Sequence, residues 1–332
     1  MFFPKFWFKS KSESSIIVYL FFPLTFIWRL GLKAKISFTI PEKMPIPVIC
    51  VGNITAGGNG KTPTALKIQK LLQTAGYRTH ILSGGYKSQL KGPLLVNPHI
   101  HSFKDVGDEP LMMSSYAPTW IAKNRRCGVK SAHAAGADVV ILDDGFQDTS
   151  IKKDLSIVVV DSSTAFGNEY LIPAGPLREP IVSGLKRADL LITIGSESQQ
   201  KRFYLNYENL DMPHSIKAFI APQTENFSVL RKKVIALAGI GHPRKFFRFL
   251  ETLGAKIVYS KPFPNHKAFN IKTLENLVAL SHKKQAQLVT TEKDFVRLPQ
   301  NLRQFFKILK IDVVFENEEL LLKKMKSVLQ VF

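Results

Sequence analysis

Apolar positions along this chain follow three successive patterns. The first is an uncharged run from Ser14 to Trp28, strongly apolar from Ile16, with Pro23 in its middle and Arg29, Lys33 and Lys35 closing it. The second begins near residue 45. Val48 to Val51 reads as a short strand ending at Gly52, then a glycine-rich turn, then a helix in which Ala65, Ile68, Leu71 and Leu72 recur at helical spacing. Gly76 ends that helix. Thr79 to Leu82, Trp120 to Ala122, Val139 to Leu142, Ile157 to Val160 and Leu190 to Ile194 read as further strands. Continuous apolar runs alternating with helical segments predict a parallel sheet covered on both faces.

A polar stretch from Ser196 to about Glu208 separates this region from a second α/β pattern. Strands are expected at Val234 to Ala238, Ile257 to Tyr259 and Leu288 to Thr290. A helix from Pro243 to Leu253 carries Phe246, Phe247, Phe249 and Leu250, and Asn317 is a fitting cap for a closing helix from Glu318 to Leu329. The expected organisation is a membrane-associated segment over 1–35, a core domain over 36–200, a linker over 201–232 and a smaller C-terminal α/β domain over 233–332.

The N-terminal run needs its own explanation. Phe2, Phe3, Phe6, Trp7 and Phe8 precede it, interleaved with Lys5, Lys9 and Lys11. Aromatic rings beside basic residues suit the headgroup boundary of a bilayer. A spanning helix wants about 20 predominantly apolar residues, and this run falls short of that. A helix lying at the membrane surface ranks first, a single uncleaved span second and a buried core helix third. Basic flanks favour keeping the following domain at the cytoplasmic face.

Composition narrows the partners. There are 46 Lys+Arg against 26 Asp+Glu, a formal net charge of +20. Such an excess attracts anions without setting the fold. Cys50 and Cys127, two cysteines in 332 residues, form neither a disulfide framework nor a metal-ligand spacing.

The strongest chemical signal lies between the first strand and its helix. Gly52-Asn53-Ile54 leads into Thr55, Ala56, Gly57, Gly58, Asn59, Gly60, Lys61 and Thr62. Small residues let backbone N–H groups converge on phosphate oxygens, and the helix N-terminus adds partial positive charge. Lys61 would reach the β- and γ-phosphates, and the Thr62 hydroxyl would ligate Mg²⁺. The P-loop pattern is incomplete, because Thr55 stands at its first glycine. Val139 to Leu142 followed by Asp143 and Asp144 supplies a strand ending in acids, the arrangement that holds a nucleotide-bound metal. Asp143 is the first choice for that role and Asp144 the second. The fold class is therefore α/β of the P-loop NTPase type, binding a nucleotide with Mg²⁺.

Val106-Gly107-Asp108-Glu109-Pro110 reads as a turn into a helix; on its own, simple capping explains both acids. Their functional reading is a base for an attacking hydroxyl plus an acid near the metal. Gln147, in Asp144-Gly145-Phe146-Gln147, could orient the metal shell or the substrate.

Taken together, Gly52 to Thr62, VGDEP at 106–110, LDDGFQ at 142–147, FGNEYLIPAGPLREP at 166–180, AGIGHP at 238–243 and TTEKDFVRL at 290–298 resemble the signatures of the tetraacyldisaccharide 4′-kinase family. The resemblance implies transfer of the ATP γ-phosphoryl group to the 4′-hydroxyl of tetraacyldisaccharide 1-phosphate, a lipid A precursor, giving lipid IVA. It also implies Mg²⁺ dependence and work at the cytoplasmic face of the bacterial inner membrane, with the lipid and the membrane surface as partners, no nucleic acid, and a monomer. By position, Asp108 would be the general base and Glu109 a metal- or nucleotide-side acid. His266 would assist Asp108 from the second domain, and Arg125 would lie near phosphate, with Arg126 as its neighbour and alternative. The chain departs from the family pattern at Gly84, Asp148 and Asn265, changes expected to adjust substrate contacts rather than abolish the chemistry. Rival readings are a membrane-bound nucleotide switch, a basic nucleic-acid-binding protein and a kinase for another glycolipid. No guanine-selecting NKxD run and no nucleic-acid-binding module is present in the sequence.

Overall fold

A computed structural model describes residues 4–8, 16–223, 229 and 231–331. Phe2, Phe3, Lys9, Lys11 and Ser14 of the aromatic and basic N-terminus lie outside the described residues, as do 224–228 and 230 of the expected linker.

A single 3-10 turn, Lys5–Phe8, precedes α1 (Ile16–Ser37). The first domain then runs β1 (Val48–Gly52), α2 (Lys61–Thr74), β2 (Thr79–Ser83), β3 (Leu94–Leu95), α3 (Phe103–Val106), α4 (Asp108–Met113), β4 (Thr119–Ile121), α5 (Arg125–Ala134) and β5 (Val139–Asp143). It continues through β6 (Leu155–Asp161), α6 (Ile181–Lys186), β7 (Leu190–Ile194), α7 (Glu197–Asn206) and β8 (Ser215–Pro222). The second domain holds β9 (Lys233–Ala238), α8 (Pro243–Thr252), β10 (Lys256–Pro262), α9 (Ile271–Lys284), β11 (Gln287–Thr291), α10 (Glu292–Phe295) and β12 (Phe306–Leu309). The chain ends with β13 (Ile311–Phe315) and α11 (Glu318–Leu329).

The large sheet has the order β13-β8-β7-β6-β1-β5-β2-β4-β3. It is parallel except at its two edges, where β13 and β3 run antiparallel to their neighbours. β1 sits between β5 and β6, so its C-terminal end opens where the chain order reverses, the usual ligand crevice of such sheets. β1, β2, β5 and β7 are buried along their whole length. Their two faces feed separate apolar layers, one around Ile54, Phe146, Phe166 and Phe203, the other around Ile68, Leu72, Ile141 and Val159. The small sheet is parallel throughout, in the order β10-β9-β11-β12.

The expected boundaries need correction. Residues 201–206 complete α7, and 215–222 form β8, which pairs with β7, so these parts of the supposed linker belong to the first domain. The C-terminal domain does not run to residue 332. Only Lys310 separates β12 from β13, which pairs with β8, and α11 packs Leu321, Met325 and Leu329 into the large domain's core. The second domain is thus an insertion spanning β9 to β12, held at both ends by one sheet.

α1 also departs from expectation. It is 22 residues long, and Ile16–Ala34 is long and apolar enough to cross a membrane by length and composition. Tyr19, Leu20, Phe26, Ile27 and Leu30 are exposed, which excludes the buried core helix. One stripe faces protein: Thr25 is buried, and Phe22 meets Tyr170 edge-on. The Trp28 indole N–H donates to the Arg178 carbonyl at 2.8 Å.

Candidate active site

The loop after β1 is strapped down on one side. Ala56 N–H donates to Pro176 O, Arg178 N–H donates to Ile54 O, and Thr55 bridges Leu177 antiparallel. Thr55 therefore occupies an extended, buried position, and its hydroxyl accepts from Asn59. This is why the missing glycine is tolerated: nothing there requires the left-handed region. Gly60 does require it, with φ 86°, and an added Cβ would strike Ile194 at 2.6 Å. No side chain caps α2, so the amides at the N-terminus of this 14-residue helix face the loop.

Acids converge on that loop. Lys61 Nζ lies 3.6 Å from Asp144, and the Thr62 hydroxyl donates to Asp143 at 3.3 Å. Arg178 forks onto both Asp144 oxygens at 2.7 and 3.1 Å. Burial raises the Asp144 carboxyl, but the Lys61 and Arg178 charges outweigh it and hold the group ionised. Asp143 is different. Burial, then the charges of Glu109 and Asp144, push its carboxyl well above the usual range, and its Oδ1 is buried without a partner. A crowded carboxylate with an orphaned oxygen beside a P-loop threonine fits a divalent cation. Among the described residues no group of three or more His, Cys, Asp or Glu could hold a metal alone. Mg²⁺ takes one or two carboxylates and fills its shell with phosphate and water, so the orphaned Asp143 oxygen beside Thr62 fits it.

Gln147, expected at the metal shell or the substrate, is tied into a polar network with Asn53, Glu179 and Arg178. Its amide nitrogen donates to Asn53 O at 2.7 Å and to Glu179 at 2.9 Å, and its oxygen accepts from Arg178. Arg125 Nη2 donates to Asp144 O at 3.0 Å, and its guanidinium lies against Gly84, where any side chain would displace it. Arg126 points away, to Ser150 O and Glu42, so Arg125 is the arginine at this site. Asp148 lies 3.7 Å from Arg125 and accepts from the Ser150 hydroxyl.

The second domain supplies the opposing wall. His266 Nδ1 lies 2.9 and 3.1 Å from the two Asp108 oxygens. Asp108 is 5% exposed. Burial raises its carboxyl, but the His266 hydrogen bond and the Lys293, His266 and Arg297 charges outweigh this and hold it at about 2. Asn265 precedes His266 with its Oδ1 buried and unpaired, so the imidazole is oriented by Asp108 and by Tyr86, whose ring meets it edge-on at 5.2 Å. Lys293 bonds Glu109 at 2.8 Å. A second contact between the domains pairs Lys245 of α8 with Asp161 and Ser163.

Sequence reasoning assigned no role to Arg178, Lys293 or Arg297. All three lie inside motif segments, but only the fold shows that Arg178 reaches Asp144 and that Lys293 and Arg297 face the Asp108–Glu109 pair.

A phosphate loop on a parallel sheet, an acid pair at the end of the neighbouring strand and a carboxylate met by a histidine from an inserted domain define a P-loop phosphotransferase. Comparison with known proteins narrows the class. The chain belongs to the tetraacyldisaccharide-1-P 4′-kinase family, whose family model matches residues 17–330. It is 43% identical to a tetraacyldisaccharide 4′-kinase of Dinoroseobacter shibae over 85% of this chain and 84% of that one. It is 41% identical to the Rhodospirillum centenum protein of the same name over 96% of this chain and 94% of that one. Among solved structures, the "apo" form of LpxK from Aquifex aeolicus in complex with ATP aligns with TM-score 0.75 and 27% identity. That alignment covers 95% of this chain and all of the other, 100%.

Proposed function

We propose that this kinase works at the membrane surface with Mg²⁺, moving the γ-phosphoryl group of ATP onto the 4′-hydroxyl of tetraacyldisaccharide 1-phosphate, with Asp108 taking the hydroxyl proton. The observation that carries this reading is the Asp108–His266 contact, which joins the two domains beside the P-loop acids.

Phosphoryl transfer asks mainly for positioning and charge neutralisation. Lys61 and the free amides of α2 would hold the phosphates. Thr62 and Asp143 would hold Mg²⁺ with Glu109 in reach, and the bound ion would offset charge on the triphosphate. Asp144, gripped by Lys61 and Arg178, fixes the lysine rather than ligating the ion. Arg125 supports the same strand end. Asp108 stays ionised at neutral pH and is free to take the hydroxyl proton as the new P–O bond forms and the bond from the γ-phosphorus to the leaving ADP oxygen breaks. Docking of the inserted domain closes the cleft and limits hydrolysis.

The exposed apolar surface of α1 is best satisfied by lipid, at the cytoplasmic face of the inner membrane. The protein would act there as a monomer. The test is label transfer from γ-labelled ATP to tetraacyldisaccharide 1-phosphate by detergent-solubilised protein with Mg²⁺. Labelled lipid, reduced about 10³-fold in Lys61→Ala, is expected. ATP hydrolysis indifferent to the lipid would refute the reading.

A further inference from the structure

Lys293 stands at the centre of the contact between the domains, and the phosphoryl-transfer chemistry above does not use it. Its Nζ bonds Glu109 at 2.8 Å and lies 3.4 Å from His266 Nε2. The lysine is only 15% exposed. Burial alone would lower its ammonium, but Glu109 and Asp108 reverse the effect and keep it charged. An ammonium has donors and no acceptor, so toward an imidazole nitrogen it can only donate.

We propose that Lys293 is a positioning residue that fixes the tautomer of His266: its ammonium holds Nε2 unprotonated, which places the imidazole proton on Nδ1, aimed at Asp108. The charged and titratable groups around the ring agree. From α4, Asp108 faces Nδ1 with both oxygens, which favours an N–H there. From the loop after β2, Tyr86 packs on the ring. From α10, Lys293 faces Nε2, where a second N–H would meet an ammonium. Arg297 approaches Asp108 at 3.7 Å and adds positive charge on the carboxylate side. Glu109 lies behind Lys293 and anchors it.

The consequence concerns where the substrate proton goes. With Lys293 in place His266 has no free lone pair, so Asp108 is the acceptor, and the imidazole steers it by donating one hydrogen bond. Asp108 and Glu109 lie across the domain boundary from His266 and Lys293, so the Nδ1–H is aimed at Asp108 only when the domains are docked. A neighbour that fixes which ring nitrogen carries the proton commonly matters about 10- to 100-fold in activity.

This inference rests on Asp108 as the base, and the test separates the two. The full chain, labelled with ¹⁵N-histidine, is examined by NMR in detergent at neutral pH, with His266→Asn assigning the resonance. The wild type should show Nδ1 protonated and Nε2 unprotonated. In Lys293→Met, Nε2 should gain a proton, and kcat should fall about 10- to 100-fold with the KM for ATP within about threefold. Lys293→Arg should restore the wild-type spectrum and most of kcat. Should Lys293→Met not fold, the wild-type and Lys293→Arg spectra decide. Nε2 protonated in the wild type, a Lys293→Met spectrum like the wild type, or an altered spectrum with unchanged kcat would each overturn the proposal. Normal turnover in Asp108→Asn would instead sink the base assignment while leaving the tautomer intact.

Discussion

The two walls of the cleft are built on opposite plans. The P-loop wall takes its acids, Asp143 and Asp144, from the end of one buried strand, and its cations from the start of α2, which carries Lys61, and from the Arg178 segment strapped to the loop after β1. The inserted domain's wall carries His266, Lys293 and Arg297 on a loop and around the short α10, and, apart from the Arg297–Asp294 pair within α10, reaches its acids across a domain boundary. The first wall is preorganised within one sheet. The second assembles when the domains meet, which makes the site's completion conditional on closure.

If that contrast is right, breaking the P-loop wall should hurt most. Arg178→Ala removes two charge-assisted bonds from Asp144 and leaves Lys61 as its nearer partner. Loss of such bonds should cost about 10- to 100-fold in kcat/KM, mainly through the KM for ATP, in steady-state kinetics. A drop confined to kcat would place Arg178 on the acceptor side instead.

Acid should loosen the other wall. The Asp108 carboxyl falls from 3.8 to about 2 on folding. A depressed carboxylate contributes stability above its unfolded value, and that contribution is lost as pH falls toward the folded value. The linkage amounts to about 2 kcal/mol, present above about pH 4 and gone near pH 2. Chemical denaturation between pH 5 and pH 2 should therefore show a steeper decline in the wild type than in Asp108→Asn. Parallel curves would mean the pair does not hold the domains together.

The smallest effect is expected at α1. Trp28→Phe deletes the indole bond to the Arg178 carbonyl, the link between α1 and the residue that grips Asp144. A single exposed hydrogen bond is worth about 1 kcal/mol, so turnover on detergent-dispersed substrate, which removes the need to bind a membrane, should fall a few-fold, while Leu30→Ala, on the exposed face, should not change it. Equal effects of the two would leave Trp28 as a membrane contact alone.

The same contrast explains what was readable in advance. β1, β5 and the Gly60-Lys61-Thr62 turn were legible because strands buried on both faces read as unbroken apolar runs, and phosphate chemistry needs small residues beside a helix start. β8 and β13 were not, since they pair antiparallel with each other at the sheet's edge, and Lys217 and Asp312 interrupt the apolar pattern at partly exposed positions. The return of β13 and α11 to the first domain is a long-range pairing with no local signature. His266 was found through family resemblance. Lys293 was not found at all, because a lysine becomes informative only once Glu109 and His266 are known to face it.

The central claim, that Asp108 accepts the proton of the lipid hydroxyl, is tested most directly by single-turnover phosphoryl transfer in Asp108→Asn with ATP binding measured in parallel. The account predicts transfer slowed about 10³-fold with ATP affinity retained. Near-normal transfer would contradict it.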